Sequence, residues 1–259
     1  MASGVVFVTA EEYAVDQLGS AYSDQPDDAD LWELDRFVDE VEQVRAALGL
    51  DRSSFFLLGH SWGGMLAIEY ALRYQDQLRG LVISNMVSSF PAALDYFPSV
   101  LMPTPDPAAL GEIKDLEVRG ATEDPRYVEL VKEHLPDRLF LQHFLPMPVE
   151  ERPDPVNRAM NRINHPLCDV MLGPSGLGLS GKLADGDRSR DLHRITVPTL
   201  VIGARHDFMD PANLETMASR LPRGRYLECA NGSHLPMYDD QETFFGGLID
   251  FLLDHGGES

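Results

Sequence analysis

The sequence predicts an α/β fold, a mostly parallel sheet flanked by helices and carrying a helical insertion. Three observations lead there. Short unbroken apolar runs such as Phe55-Phe56-Leu57-Leu58, Leu81-Val82-Ile83 and Leu200-Val201-Ile202 are what strands buried on both faces look like. Stretches with apolar residues at three- and four-residue spacing alternate with them, as helices covering a parallel sheet do. Over residues 88–194 that alternation stops and proline becomes frequent.

In chain order, residues 5–8 and 13–15 are β-like runs, the second followed by the turn-forming group Asp16-Gln17-Leu18-Gly19-Ser20. Asp30 is expected to cap a helix whose apolar positions are Leu31, Leu34, Phe37, Val38, Val41, Val44 and Leu48, with Gly49 closing it. Residues 55–58 read as a buried strand, residues 65–74 as a helix and residues 81–83 as the next strand. Residues 127–134 and 155–163 are helical pieces inside the insertion. The alternation resumes with a strand over 197–203, a helix over 210–221, a strand over 225–229 and a closing helix over 242–253. The expected division is therefore an α/β core formed by residues 1–87 and 195–259, with residues 88–194 as a helical cap. Such a lid lies over the strand ends, where open α/β sheets bind ligands.

A chain of 259 residues, 44% of them hydrophobic, can bury one large core. Its 42 acidic against 21 basic side chains give a formal charge of −21, a field that repels nucleic acid and anionic membranes. The two cysteines, Cys168 and Cys229, lie far apart in sequence, and no Cys/His spacing of the zinc kind occurs. No stretch is long enough to span a bilayer, and the N-terminus has no basic segment. These features predict a cytoplasmic protein that works without a metal or organic cofactor and has no nucleic-acid or membrane partner.

Chemistry is concentrated at Gly59-His60-Ser61-Trp62-Gly63. A serine flanked at two residues on each side by glycine, after a buried strand and before a helix, is the strand–turn–helix elbow that lifts a nucleophile out of an α/β-hydrolase sheet. The glycines are needed because the turn is strained and packs tightly. A serine hydroxyl is a weak nucleophile unless a histidine takes its proton and a carboxylate holds that histidine's tautomer. In this fold the acid and then the histidine follow the serine, each just after a later strand. Asp207, four residues past Gly203, and His234, in Gly232-Ser233-His234-Leu235-Pro236, satisfy that order. A lone histidine is ordinarily a packing residue and a lone loop aspartate a solvated turn; order and placement single these two out. Competing acids are Asp210 and Asp239, and competing bases His60 and His206. His60 is disfavoured because its side chain is expected to point away from that of its neighbour Ser61. The backbone N–H of Trp62 is the expected oxyanion donor. A second glycine-rich run, Gly176-Leu-Gly178-Leu-Ser-Gly181-Lys182, imitates a phosphate cradle, but no strand precedes it and Leu183 stands where Ser or Thr would bind Mg²⁺, so it reads as a lid loop.

At these residues the chain resembles the proline iminopeptidases, α/β-hydrolases that release N-terminal proline or other residues from small peptides. The matching pieces are Asp16 to Ser20 with Ser23-Asp24, the elbow continued through Met65-Leu-Ala-Ile-Glu-Tyr70-Ala, Gly173-Pro174-Ser175, the 197–203 strand with Asp207, and the His234 loop. By that resemblance Ser61, Asp207 and His234 are nucleophile, acid and base. Three departures accompany it. The family's upstream His-Gly-Gly-Pro-Gly loop, which supplies a second oxyanion donor, has no counterpart, since no histidine precedes His60. The chain is accordingly expected to lack the family's first strands, one of which lies beside the elbow strand. The two glutamates that clamp the substrate's free amine in the family are replaced by Gly176 and Phe208, which makes these the substrate-binding positions to watch. The expected function is a serine hydrolase acting on small peptides. The alternatives are an esterase, lactonase or amidase for an uncharged small molecule, and a catalytically impaired or binding relative.

Overall fold

The computed structural model describes residues 5–8, 12–14, 16–101, 106–135 and 137–256. The expected third residue of the second strand, Val15, lies outside them. Among the described residues six strands form one sheet: β1 (Val5–Val8), β2 (Glu12–Ala14), β3 (Phe56–His60), β4 (Gly80–Ser84), β5 (Thr199–Ala204) and β6 (Gly224–Cys229), in spatial order β2-β1-β3-β4-β5-β6. From β3 to β6 every pairing is parallel, whereas β1 runs antiparallel to both β2 and β3. The place beside the elbow strand is thus taken by β1.

Alternation along the strands splits the core in two. Phe56 and Leu58 of β3, Val82 of β4 and Leu200 and Ile202 of β5 pack with Phe244, Leu248 and Phe251 of α11 (Gln241–Gly256). The intervening residues Leu57, Leu81, Ile83 and Val201 face the other way. There they meet Val38 and Val41 of α1 (Leu34–Ala47), Leu66 and Tyr70 of α2 (Trp62–Tyr74), and Leu214 and Met217 of α9 (Pro211–Arg220). The parallel sheet is covered on both faces, as its unbroken apolar strands require.

Two boundaries differ from expectation. The cap at Asp30 is not there: Asp28 accepts from the backbone N–H of Asp30 to start a single 3₁₀ turn, Ala29–Leu31, and α1 begins only after Glu33. Gly49 does close α1, with φ +66. Helix α2 starts at Trp62, three residues before the apolar periodicity begins. Gly63 and Gly64, poor helix formers, are held in its first turn by tertiary packing.

Among the described residues, six α-helices lie between β4 and β5: α3 (Phe90–Leu101), α4 (Pro107–Val118), α5 (Pro125–His134), α6 (Asp137–Phe144), α7 (Asp154–Met160) and α8 (His165–Leu172). Here α5 and α7 correspond to the two helical pieces read from the sequence. Ile113 and Leu116 of α4 and Tyr127 and Leu130 of α5 form a small core of their own. Beside it the buried carboxylate of Glu117 accepts from the Tyr127 hydroxyl (3.1 Å), the Ser175 backbone N–H (2.8 Å) and the Ser180 hydroxyl, fastening the Gly173-Pro174-Ser175 turn. A short helix α10 (Pro236–Asp239) precedes α11. Among the described residues no helix is long and apolar enough to cross a membrane.

Candidate active site

Ser61 sits at the carboxyl end of β3 with φ +53 and ψ −123, a backbone conformation that non-glycine residues rarely adopt. The turn is held by two bonds: its N–H donates to the Ser84 carbonyl at 2.9 Å, and its carbonyl accepts from Gly64 N–H at 2.7 Å. The need for glycine is concrete at Gly59, where a Cβ would fall 2.0 Å from the Gly63 carbonyl oxygen and 2.7 Å from the Ala67 Cβ. The helix must pass that close for the serine to stand at the sheet's edge. Trp62 opens α2, so its backbone N–H has no carbonyl within the helix to bond.

Asp207 and His234 lie on the loops that leave β5 and β6. These loops are stapled together, Arg205 N–H donating to the Cys229 carbonyl (3.1 Å) and His206 N–H to that of Gly232 (3.0 Å). His234 Nδ1 is 2.9 Å from Asp207 Oδ1, and His234 Nε2 is 2.8 Å from Ser61 Oγ. The carboxylate accepts, so Nδ1 carries the proton and Nε2 turns its lone pair to the serine hydroxyl. Such an arrangement can withdraw the hydroxyl proton as the oxygen attacks a carbonyl. Asp207 is 1% exposed and His234 2% exposed, so these bonds form where water does not compete. Asp207 Oδ1 also accepts from Met209 N–H at 3.1 Å, and Oδ2 from the Asn85 side-chain amide at 2.7 Å.

The imidazole of His234 is enclosed by aromatic rings. Phe208 stacks on it with centroids 4.2 Å apart, Phe144 lies at 5.6 Å, and Phe97 meets Phe208 edge-on at 5.8 Å. Phe208, one of the two positions singled out for substrate binding, is therefore in contact with the proposed base. The other, Gly176, sits in a turn with φ +73, where an added Cβ would meet nothing within 4 Å. Lys182 at the end of the same glycine-rich run donates to the Trp32 carbonyl at 3.0 Å and pairs with Glu33.

The competing residues have other work. Asp210 caps α9 by accepting from Ala212 N–H at 3.0 Å. Asp239 accepts from the N–H and hydroxyl of Ser233, bracing the His234 loop, and burial pushes its carboxyl pKa up. His206 is exposed and offers its carbonyl to His143 Nδ1–H at 2.7 Å. His60 bonds Ser84 Oγ through Nδ1 at 3.2 Å and not Ser61, yet its ring is only 5.0 Å from that of His234. Burial, then the neighbouring His234, hold the His60 pKa well below 6.5.

Sequence reading missed two groups here. One is Ser84-Asn85, whose signal was available: a polar pair closing the apolar run Leu81-Val82-Ile83, in a residue type that tolerates positive φ. The other is the end of α6, whose His143 carbonyl accepts from His234 N–H (2.8 Å) and whose Phe144 carbonyl, at 3.0 Å from Ser233 Oγ, shares with Asp239 the single proton of that hydroxyl. Backbone carbonyls carry no sequence signal.

A mostly parallel sheet with a serine on a strained strand-to-helix turn is the α/β-hydrolase fold, and the alpha/beta hydrolase family matches the chain over residues 5–246. Proline iminopeptidases of Flavobacterium johnsoniae and Elizabethkingia meningoseptica are 49% and 47% identical to it. They align over 96% and 94% of this chain and over 82% and 80% of their own lengths. The crystal structure of the proline iminopeptidase of Mycobacterium smegmatis superposes with TM-score 0.71 at 27% identity, covering 95% of this chain and 80% of that one. The chain belongs to the proline iminopeptidase family and is a hydrolase.

Proposed function

We propose that the chain is a serine hydrolase that releases N-terminal residues, proline preferred, from small peptides. The observation that carries this reading is the unbroken hydrogen-bonded line from Ser61 through His234 to Asp207. Ser61 Oγ attacks the scissile carbonyl while His234 Nε2 takes its proton, and Asp207 stabilises the imidazolium. The oxyanion forms against the N–H of Trp62 at the positive end of α2. His234 then protonates the leaving amine, and the acyl-enzyme on Ser61 is hydrolysed by a water that His234 activates in turn. In the same reading the helices between β4 and β5 act as a cap over this site, residues 1–87 and 195–259 are the core, and the enzyme works in the cytoplasm.

A second reading has its own observation. With the phenyl ring of Phe208 against His234, the wall beside the base is apolar, and desolvating a free ammonium against it is costly. That favours an uncharged ester, lactone or amide. Turnover of proline p-nitroanilide and of p-nitrophenyl acetate, with Ser61→Ala as control, separates the two. Preference for the anilide supports the peptidase, and turnover of the acetate alone supports the second reading. Failure of both substrates, together with no labelling by a fluorophosphonate probe, would remove the hydrolytic mechanism.

A further inference from the structure

Asn85 leaves the carboxyl end of β4 with φ +52, its backbone N–H donating to the Ile202 carbonyl at 2.8 Å. Its side chain is fully buried and its polar atoms are all engaged. The two hydrogens of the amide have two acceptors, Asp207 Oδ2 at 2.7 Å and the Ser233 carbonyl at 3.3 Å. The amide oxygen accepts from the Ser84 hydroxyl at 2.9 Å. That hydroxyl has spent its proton, so at 3.2 Å it is the acceptor for His60 Nδ1–H. The three hydrogen bonds of the line His60, Ser84, Asn85, Asp207 thus run in one consistent direction. This line also dictates which way the Asn85 amide is turned, because a carboxylate has no proton to offer its oxygen end.

We propose that Asn85 is a positioning residue for the hydrolytic reaction: its amide joins the acid's loop to the base's loop and holds Asp207 so that Oδ1 faces His234. The proposal rests on the serine-hydrolase reading above. Three features make the group more than filler. Asn85 bonds the carboxylate oxygen that His234 does not use. It also holds the backbone of Ser233, next to His234, so one side chain sets the separation of acid and base. And its own orientation is braced from behind by Ser84 and His60, a half-buried histidine for which the mechanism has no other use. A leucine in its place would fill the volume with no donor, and an aspartate would set a second carboxylate against Asp207.

The test uses the full chain with Asn85→Leu, Asn85→Asp and Ser84→Ala. Hydrolysis of p-nitrophenyl acetate and the rate of fluorophosphonate labelling are followed between about pH 5.5 and 9. The His234 Nδ1–H proton is observed by NMR as a downfield resonance absent from His234→Ala. Loss of a hydrogen bond to a charged group predicts a fall in kcat of about 10- to 100-fold in both Asn85 variants, KM staying within about twofold. Labelling should slow in parallel, the pH profile of kcat/KM should change shape, and the downfield resonance should move or vanish. Ser84→Ala, which leaves the amide in place but unbraced, should produce the same changes to a smaller degree, and it decides the matter if the Asn85 variants do not fold. Parent-like rates and an unmoved resonance in a folded variant overturn the positioning role while leaving the hydrolase reading standing. If the parent itself neither turns over nor labels, the hydrolase reading fails, and the resonance alone still decides whether Asn85 orients the Asp207–His234 pair.

Discussion

The ring of Phe208 lies on the imidazole of His234, with 28° between their planes and 4.2 Å between centroids. The imidazole is therefore held in two ways, by hydrogen bonds in its plane and by an apolar face across it. The ring itself is wedged by Phe97. Phe208→Ala removes the face and leaves a cavity, at an expected stability cost of about 3–5 kcal/mol. With the imidazole free to tilt, kcat should fall roughly tenfold. Urea denaturation and p-nitrophenyl acetate turnover measure the two effects. Phe208→Leu, which refills most of the space, should recover most of the stability.

Asp207→Asn keeps the shape of the acid but can present an N–H to His234 Nδ1, which forces the proton to Nε2 and points it at Ser61. A serine facing a donor cannot be deprotonated. The expected fall in kcat is about 10⁴-fold with little change in melting temperature. A variant retaining more than a tenth of the parent rate would show that the acid does not set the tautomer.

His60 makes stability depend on pH in a calculable direction. Burial lowers its folded-state pKa well below the unfolded value near 6.5, so above that value it is neutral in both states and contributes nothing. As pH falls below about 6.5, the unfolded chain takes up a proton that the folded chain refuses, and folding weakens by up to about 1.4 kcal/mol per pH unit. His60→Gln should remove this part of the acid sensitivity. Comparing urea midpoints of parent and variant at about pH 7 and 5.5 isolates it from His255, whose pKa is also lowered.

Glu69 on α2 is nearly buried and is met by the Arg188 guanidinium with two bonds, at 2.5 and 3.1 Å. Arg188 also donates its backbone N–H to the Ser88 carbonyl, so it ties the end of the inserted segment to the elbow helix. Arg188→Ala leaves Glu69 charged without its partner. The Arg188 side chain is 44% exposed, so solvent moderates the loss, and about 1–3 kcal/mol is expected. Adding Glu69→Gln to that variant should restore part of the loss in chemical denaturation; no recovery would mean that the bond, and not the buried charge, carries the effect.

What the sequence by itself determined is local and periodic: unbroken apolar runs made the parallel strands, Gly59 and Gly63 marked the turn that Ser61 occupies, and the order Ser61, Asp207, His234 was legible before any coordinate. These follow from side-chain period, glycine's freedom and strand-exit placement, which act over a few residues. Tertiary packing decided the rest. It drew Gly63 and Gly64 into α2 against their propensity, delayed the start of α1 from Asp30 to after Glu33, and stacked Phe208 on His234. Only the sheet's register, which sets Ser84 level with His60 and Ile202, brings Asn85 to the far side of Asp207 across 122 residues of chain. Bonds from Ser233 and His234 to the carbonyls of Phe144 and His143 were invisible for a simpler reason: every residue has a carbonyl, and only folding says which one a donor finds.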